Sequence, residues 1–443
     1  MSAKAKTKND VAWEKLFDKY DILKSIHNFG LYQISATQIN EFREARLMTK
    51  FDQSFQLPYM FTESELSILP VSRGEYIISE MNTFANFDHS PDLIINDFHS
   101  PIEWESLDYK NVTSEANAIN CAYVGGLLHD FLDETVLLPT VNGRMSSSEF
   151  DFKVSKSKSD RLLDISVINS QIEIDGGYEG YNAFNLIEAK NTLAPDFLIR
   201  QLYYPYRLWR SKIGKYVRNV FLTYSNGIYH FREYEFTEDN YYNSIQLIQE
   251  KKYRFKEKEE DIINAEILQH YIDHLPIVAE PLTPFPQANS FDRVINFCEV
   301  INSSEEEGVT SDDLLSNFYF TEQESLTLRQ VDYYYNAAAY LGFVSKLKKK
   351  DSPTTYLLTS KGKNLFKMSI LERQREFVKS ILAHKVFKNV LNEYLTMASR
   401  PSKEKIVLFM KESSLYNINS DKTYFRRAST ISAWIDWIMS QIE

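Results

Sequence analysis

Twenty residues in the middle of the chain, Gln171 to Lys190, constrain its fold more than any other stretch. Two apolar, strand-forming runs, Ile165 to Ile174 and Phe184 to Ala189, flank a cluster of Gly176, Gly177, Gly180 and Asn182. Glycine and asparagine supply the conformations that tight turns need, so the pattern predicts a β-hairpin. Strand side chains alternate between faces, so Glu188 and Lys190 share one face and Ala189 takes the other. Asp175 is expected to close the first strand just before the glycine pair, at the end of the sheet rather than inside its core.

Two acids and a lysine in this arrangement suit phosphodiester hydrolysis. Asp175 and Glu188 offer hard oxygen ligands that would hold Mg²⁺, with Mn²⁺ as a substitute, while leaving it several waters, one of them the nucleophile. Lys190 would orient or help deprotonate that water, or offset charge on the phosphorus. The alternative is an ordinary same-face ion pair, which contributes little to stability. Asp175, twelve intervening residues, then Glu188-Ala189-Lys190 resembles the bipartite D…ExK core of the PD-(D/E)XK nucleases, with Ile174 where the family usually has Pro.

That resemblance implies an α/β, multidomain chain built on a central mixed sheet flanked by helices, and it singles out further positions. A helix ahead of the core, read from Thr113 to Leu132 with Thr113 as its cap, often carries another acid in this family, which makes Glu115 a candidate metal ligand. The helix dipole gives an acid there an ordinary explanation as well. A helix after the core, read from Pro195 to Lys212 with a kink at Pro205, often directs a Gln to the site, here Gln201. Its neighbours Tyr203 and Tyr204 read as packing residues. In the polar loop from Gly143 to Phe152, Arg144 is placed to approach DNA.

At 443 residues the chain has room for two to four domains. Its 28 Tyr and 29 Phe exceed what the interior would hold, so many are expected at surfaces. Cys121 and Cys298 lie in apolar surroundings and are expected as buried free thiols, which fits a reducing cytoplasm. No apolar run reaches membrane-spanning length, and neither signal nor anchor is expected. The net charge of −11 conceals a split, because Phe320 to Glu443 carries 20 Lys and Arg against 12 Asp and Glu. A basic module therefore follows an acidic front.

The expected organisation has five parts. Residues 1–108 form an α/β accessory domain with helices from Asp10 to Ile26 and from Ala36 to Met48. Within it the runs Arg43 to Asp52 and Ile68 to Gly74 resemble the N-terminal part of certain restriction endonucleases, with no catalytic role carried over. Residues 109–280 form the nuclease domain, and a proline cluster marks 281–290 as a stiff linker. Residues 291–395 show the helix, helix, basic hairpin pattern of a winged helix. Arg329, Gln330, Asp332, Tyr333 and Asn336 on its second helix would face the groove, and Lys348, Lys349 and Lys350 in its wing would meet phosphates. Such modules also bind proteins. Residues 396–443 form a second helical unit, in which Arg426 and Arg427, read as lying just before the last helix, would attract a DNA phosphate unless Asp421 offsets them.

The layout resembles that of a Type II restriction endonuclease. It implies Mg²⁺-dependent, sequence-specific cleavage of double-stranded DNA in a bacterial or archaeal cytoplasm. It further implies a homodimer that cuts both strands, and a companion DNA methyltransferase that makes no stable complex with it. A structure-specific nuclease of the same fold and a non-catalytic DNA-binding regulator are the alternatives.

Overall fold

The computed structural model describes residues 7–87, 93–99, 104–110, 112–256, 263–304, 308–318, 328–348, 353–418 and 420–442, the side chains of 316–317 and 328–330 excepted. The N-terminal helix α1 (Lys8–Lys19) starts on a capping box in which Thr7 and Asp10 satisfy each other's amides. Asp21, at φ +48°, interrupts the helical hydrogen bonding, so the single helix expected from Asp10 to Ile26 is two, α1 and α2 (Ile22–Phe29). β1 (Leu31–Ser35), α3 (Ala36–Asn40), α4 (Ala45–Thr49), α5 (Tyr59–Glu63), β2 (Ser67–Pro70) and β3 (Glu75–Ser79) follow, and the three strands form an antiparallel sheet in the order β1-β3-β2. Trp13 and Phe61 meet edge to face at 4.8 Å in the core of this domain. The helix expected from Ala36 to Met48 breaks between α3 and α4, where Asn40 Oδ1 accepts from Ala45 N.

The central body comprises β4 (Phe84–Asn86), β5 (Ile95–Phe98), α6 (Glu115–Val124), α7 (Leu127–Leu132), β6 (Leu138–Ser146), β7 (Glu149–Ser155), β8 (Leu162–Ile168), β9 (Gln171–Glu179), β10 (Ala183–Lys190), β11 (Asp196–Leu198), α8 (Arg200–Lys212), β12 (Tyr216–Ser225), β13 (Ile228–Phe236) and β14 (Ile245–Phe255). Among the described residues seven strands form one mixed sheet in the order β5-β14-β13-β12-β10-β9-β6, with β10 parallel to β12 and β5 parallel to β14. Its two faces bury separate cores. Phe184, Leu186, Val217 and Phe221 pack with α8 on one face, and Ile187, Ala189, Val220 and Leu222 pack with α6 and α7 on the other. Each Val, Leu, Ile or Phe among them contributes about 1.5–3 kcal/mol when fully buried. Asn226 and Gly227, at φ +49° and +76°, close the expected hairpin between β12 and β13.

Several local expectations are corrected here. The run from Ile165 to Ile174 is not one strand, because Asn169 at φ +55° separates β8 from β9, and β8 pairs with β7 instead. The stretch read as a polar loop around Arg144 is the end of β6 followed by a tight turn into β7. The helix read from Thr113 to Leu132 is capped by Ser114 and divides at Gly125-Gly126. A Cβ on Gly125 would lie 2.3 Å from the Phe255 ring, so that glycine admits a close approach to the sheet. Tyrosines are more internal than composition implies, with Tyr203, Tyr204, Tyr229, Tyr242 and Tyr253 all fully buried.

The C-terminal body contains α9 (Ala265–His274), α10 (Phe291–Asn302), β15 (Val309–Thr310), α11 (Ser311–Asn317), α12 (Leu328–Tyr340), β16 (Val344–Leu347), β17 (Thr355–Leu358), α13 (Ser360–Leu365), α14 (Ile370–Leu382), α15 (Lys385–Met397), α16 (Lys403–Lys411) and α17 (Asp421–Met439). Helix, strand, helix, helix and two strands follow one another from α10 to β17, and the strands pair antiparallel in the order β15-β17-β16. One hydrophobic cluster runs from Ile263 to Ile438. It takes in α9, Phe285 and Ala288, and Trp434 donates to Ala288 O at 2.8 Å. The stretch 281–290 is thus anchored to this body through Phe285 and Ala288, and α16 and α17 share its core. Cys121 and Cys298 are buried free thiols, and among the described residues no helix is long and apolar enough to cross a membrane.

Candidate active site between strands β9 and β10

β9 continues unbroken through Gly176-Gly177, so Asp175 lies mid-strand and the turn falls after Glu179. The expectation that the glycine pair forms the turn is therefore corrected. A Cβ on Gly176 would lie 2.9 Å from Tyr178, and one on Gly177 would lie 2.9 Å from Val141, whose strand β6 shifts register there. The glycines let neighbouring elements come close. They also let the strand turn over, since Ile172 and Ile174 face the α8 side whereas Tyr178, of the same parity, faces the α6 side.

Where β9 turns over, it also leaves its partner. The ladder with β10 is regular from Phe184↔Glu179 to Ile187↔Gly176. Beyond that point Asp175 Oδ2 accepts from Ala189 N at 2.9 Å, so a side chain replaces a backbone rung. Glu188, 8 % exposed, and Lys190 share the face predicted for them, with Lys190 Nζ 2.7 Å from Glu188 Oε1. Gln201 in the first turn of α8 donates Nε2 to the same Glu188 oxygen at 2.6 Å. Glu115, the first residue of α6, places Oε1 3.5 Å from Lys190 Nζ. The five residues expected at the core of the site, Asp175, Glu188, Lys190, Gln201 and Glu115, therefore come together.

The charges are strongly coupled. Burial pushes Glu188 up to about 8, with Lys190 opposing and the Asp175 charge adding to the rise. Burial alone would lower Lys190, but the carboxylates of Glu188 and Glu115 hold it well above the usual lysine range. Glu115 is also raised, by desolvation first, against the pull of Lys190. Sequence reasoning missed Asp52. Its side chain is 17 % exposed, and its charge acts on Glu188, Glu115 and Lys190. It is delivered by the segment after α4, whose Asp52 carbonyl accepts from Leu198 N at 2.8 Å. Asp52 ends the run from Arg43, to which the sequence attaches no catalytic role.

The donor set suits a hard cation. Asp175 and Glu188 supply carboxylate oxygens, and Gln201 Oε1 beside them is buried with no hydrogen-bond partner. Among the described residues no group of three or more His, Cys, Asp and Glu is arranged to hold a metal. An ion here would rest on two carboxylates and retain waters, as Mg²⁺ commonly does.

The positions expected to contact DNA scatter. Arg144 is exposed on the edge strand β6 and pairs with Glu173 at 3.3 Å. On α12, Asp332 pairs with Lys346 of β16 at 3.2 Å, while Tyr333 and Asn336 are half-buried. The side chains of Arg329 and Gln330, and all of Lys349 and Lys350, lie outside the described residues; Lys348 is exposed. Arg426 and Arg427 lie inside α17, which starts at Asp421 rather than Ser429, so they do not oppose a helix N-terminus. Asp421, the proposed alternative partner, pairs with Lys411 at 2.8 Å. Part of the basic surplus is internal, since fully buried Arg373 donates to Leu365 O and Lys110 O, both at 3.0 Å.

Three sequence-family profiles match the chain: Domain of unknown function (DUF6996) over residues 10–78, Domain of unknown function (DUF6997) over 79–254 and Domain of unknown function (DUF7226) over 293–443. No curated protein and no solved structure matches it. The second profile holds Asp175, Glu188, Lys190, Gln201 and Glu115 together, whereas Asp52 falls in the first.

The Glu188 environment gives a stability signature. Folded Glu188 keeps its proton to about 8, whereas an unfolded glutamate releases it near about 4.3. Between those values the folded state binds more protons, so this group's contribution falls as pH rises. Glu188→Gln, which cannot ionise, should melt several degrees above the natural protein at pH 9 and close to it at pH 5. A thermal melt at both pH values checks this, and a variant less stable at pH 9 would mean that burial does not govern the site.

Proposed function

We propose that this protein is a Mg²⁺-dependent DNA endonuclease of the PD-(D/E)XK kind, with a winged-helix module in its C-terminal body. The observation that carries the reading is the bond from Ala189 N to Asp175 Oδ2, which sets the second acid beside Glu188 and Lys190 where β9 and β10 part. The succession of α6, β6, β9, β10, α8 and a strand parallel to β10 supports it. So does the order of elements from α10 to β17, which resembles that of a winged helix.

A bound divalent ion would supply Lewis acidity and a water of lowered pKa, held by Asp175 and Glu188. The chain's own residues do the rest. Gln201 and Lys190 both bond Glu188 Oε1 and so fix the direction of its carboxylate. Lys190 keeps its proton and presents a buried positive charge to a phosphate, where low dielectric strengthens the attraction. Glu115 and Asp52 balance that charge when no substrate is present. The substrate would be double-stranded DNA, cut at a sequence read by the C-terminal body, with two chains pairing to cut both strands.

Plasmid digestion by the full chain tests the proposal. Discrete fragments are expected with Mg²⁺ or Mn²⁺, and binding with little turnover is expected with Ca²⁺, whose coordination is larger and looser. Cuts confined to branched or mismatched DNA would favour a structure-specific nuclease. Cutting undiminished in EDTA, or none under any metal, would overturn the reading.

A further inference from the structure

The segment joining Lys190 to Gln201 is held from two sides. The N-terminal domain grips it where Asp196 accepts from Ser54 N at 2.9 Å and where Leu198 N reaches Asp52 O. The C-terminal body grips it through one amide, Asn296 on α10, which is 1 % exposed. Asn296 Nδ2 donates to Asn191 O at 3.2 Å, and its Oδ1 accepts from Leu193 N at 3.5 Å. Asn191 directly follows Lys190.

The same amide spans to the next strand. Asn296 Nδ2 lies 3.4 Å from Ser225 Oγ and 3.2 Å from Glu299 Oε2. Glu299 in turn accepts from Ser225 Oγ at 2.8 Å and Asn226 N at 2.9 Å. Ser225 ends β12, the strand that runs parallel to β10. The exit of the strand bearing Glu188 and Lys190, the end of its parallel neighbour and helix α10 of the C-terminal body thus meet at a single buried side chain.

We infer that Asn296 is a positioning residue, through which the C-terminal body sets the placement of Lys190 and Glu188 by fixing the backbone from Asn191 to Leu193. This rests on the nuclease reading for its consequence in catalysis. Under it, the C-terminal body does more than deliver DNA, because its Asn296 fixes the backbone that directly follows the strand carrying two site residues. A displacement of about 1 Å at a reacting group can cost about 100-fold in rate. A buried amide could instead serve docking alone, and the two roles separate experimentally. Ile370 packs against the turn at Gly227, so Ile370→Ala weakens docking without touching residues 191–193.

The test uses the full chain with Asn296→Ala, Asn296→Ser and Ile370→Ala. It measures kcat and KM for Mg²⁺-dependent plasmid cleavage, and hydrogen exchange of the Ala189 amide that Asp175 accepts. Asn296→Ala is expected to lower kcat by about 10- to 100-fold with KM within about threefold, and to reduce protection at Ala189 by about tenfold. Asn296→Ser, which keeps one hydroxyl, should recover part of both, and Ile370→Ala should leave both near the natural values. Equal losses in Asn296→Ala and Ile370→Ala, a change in KM alone, or unaltered exchange at Ala189 would overturn the inference. Should Asn296→Ala not fold, Asn296→Ser carries the same comparison. Absence of cleavage by the natural chain would remove the nuclease reading, whereas the exchange measurement would still decide whether Asn296 positions the strand.

Discussion

Alanine at Asp175, Glu188 or Lys190 is expected to lower Mg²⁺-dependent cleavage by on the order of 10³-fold or more, because metal and charge stabilisation supply several kcal/mol of the barrier reduction. DNA affinity should change by less than about threefold, since the three act at one phosphate and a bound duplex is held by many phosphate contacts. The three need not behave alike in the folded state. Asp175 also accepts the Ala189 amide, so its alanine variant leaves a backbone donor unmet. Asp175→Asn, which keeps an acceptor oxygen, separates that structural loss from the loss of a ligand. Lys190→Ala removes the cation that opposes the rise of Glu188, so the proton on Glu188 should be held to still higher pH. Single-turnover cleavage and gel-shift binding on the same variants check these outcomes. Near-natural cutting by Lys190→Ala would remove the basis of the proposed function.

How much of this site could be read from sequence depended on range. Glu188 and Lys190 are two residues apart on one strand, so alternation alone put them on one face. The glycine pair misled because glycine serves both turns and close approaches, and the residues that decide between them, Val141 and Ile119, are distant in sequence. The helix holding Arg426 and Arg427 begins eight residues before its apolar period does, because its Ser420 cap and first turns lie in a polar stretch. Asp52 was out of reach for a different reason. It enters the site through a crossing between domains, tied at Leu198 and Asp196 more than a hundred positions away, and no local pattern encodes such a meeting.

The proline cluster at 276–286 invites a cut before residue 286, and the packing predicts that such a cut fails. Ile263, Leu268, Tyr271 and Phe285 all belong to the C-terminal core, with Phe285 stacked on Phe387 and Leu268 fully buried. Removing a buried residue of this size costs about 2–5 kcal/mol, so deleting four approaches or exceeds the whole stability of a domain, about 5–15 kcal/mol. A fragment 286–443 is therefore expected to lack a cooperative melt and to bind hydrophobic dye. A fragment 263–443, which retains α9 and the packed stretch before α10, should melt cooperatively. If the C-terminal body reads DNA, the longer fragment should also prefer the cognate duplex over a scrambled one, while residues 1–256 alone should not. Prolines do not contradict this packing, because a stretch with few backbone donors can lie along a core without leaving amides unmet. What the cluster marks is a segment that forms no strand or helix of its own, and its side chains remain free to complete the core beside it. Cooperative melting of 286–443 at the temperature of 263–443 would show that α9 belongs elsewhere.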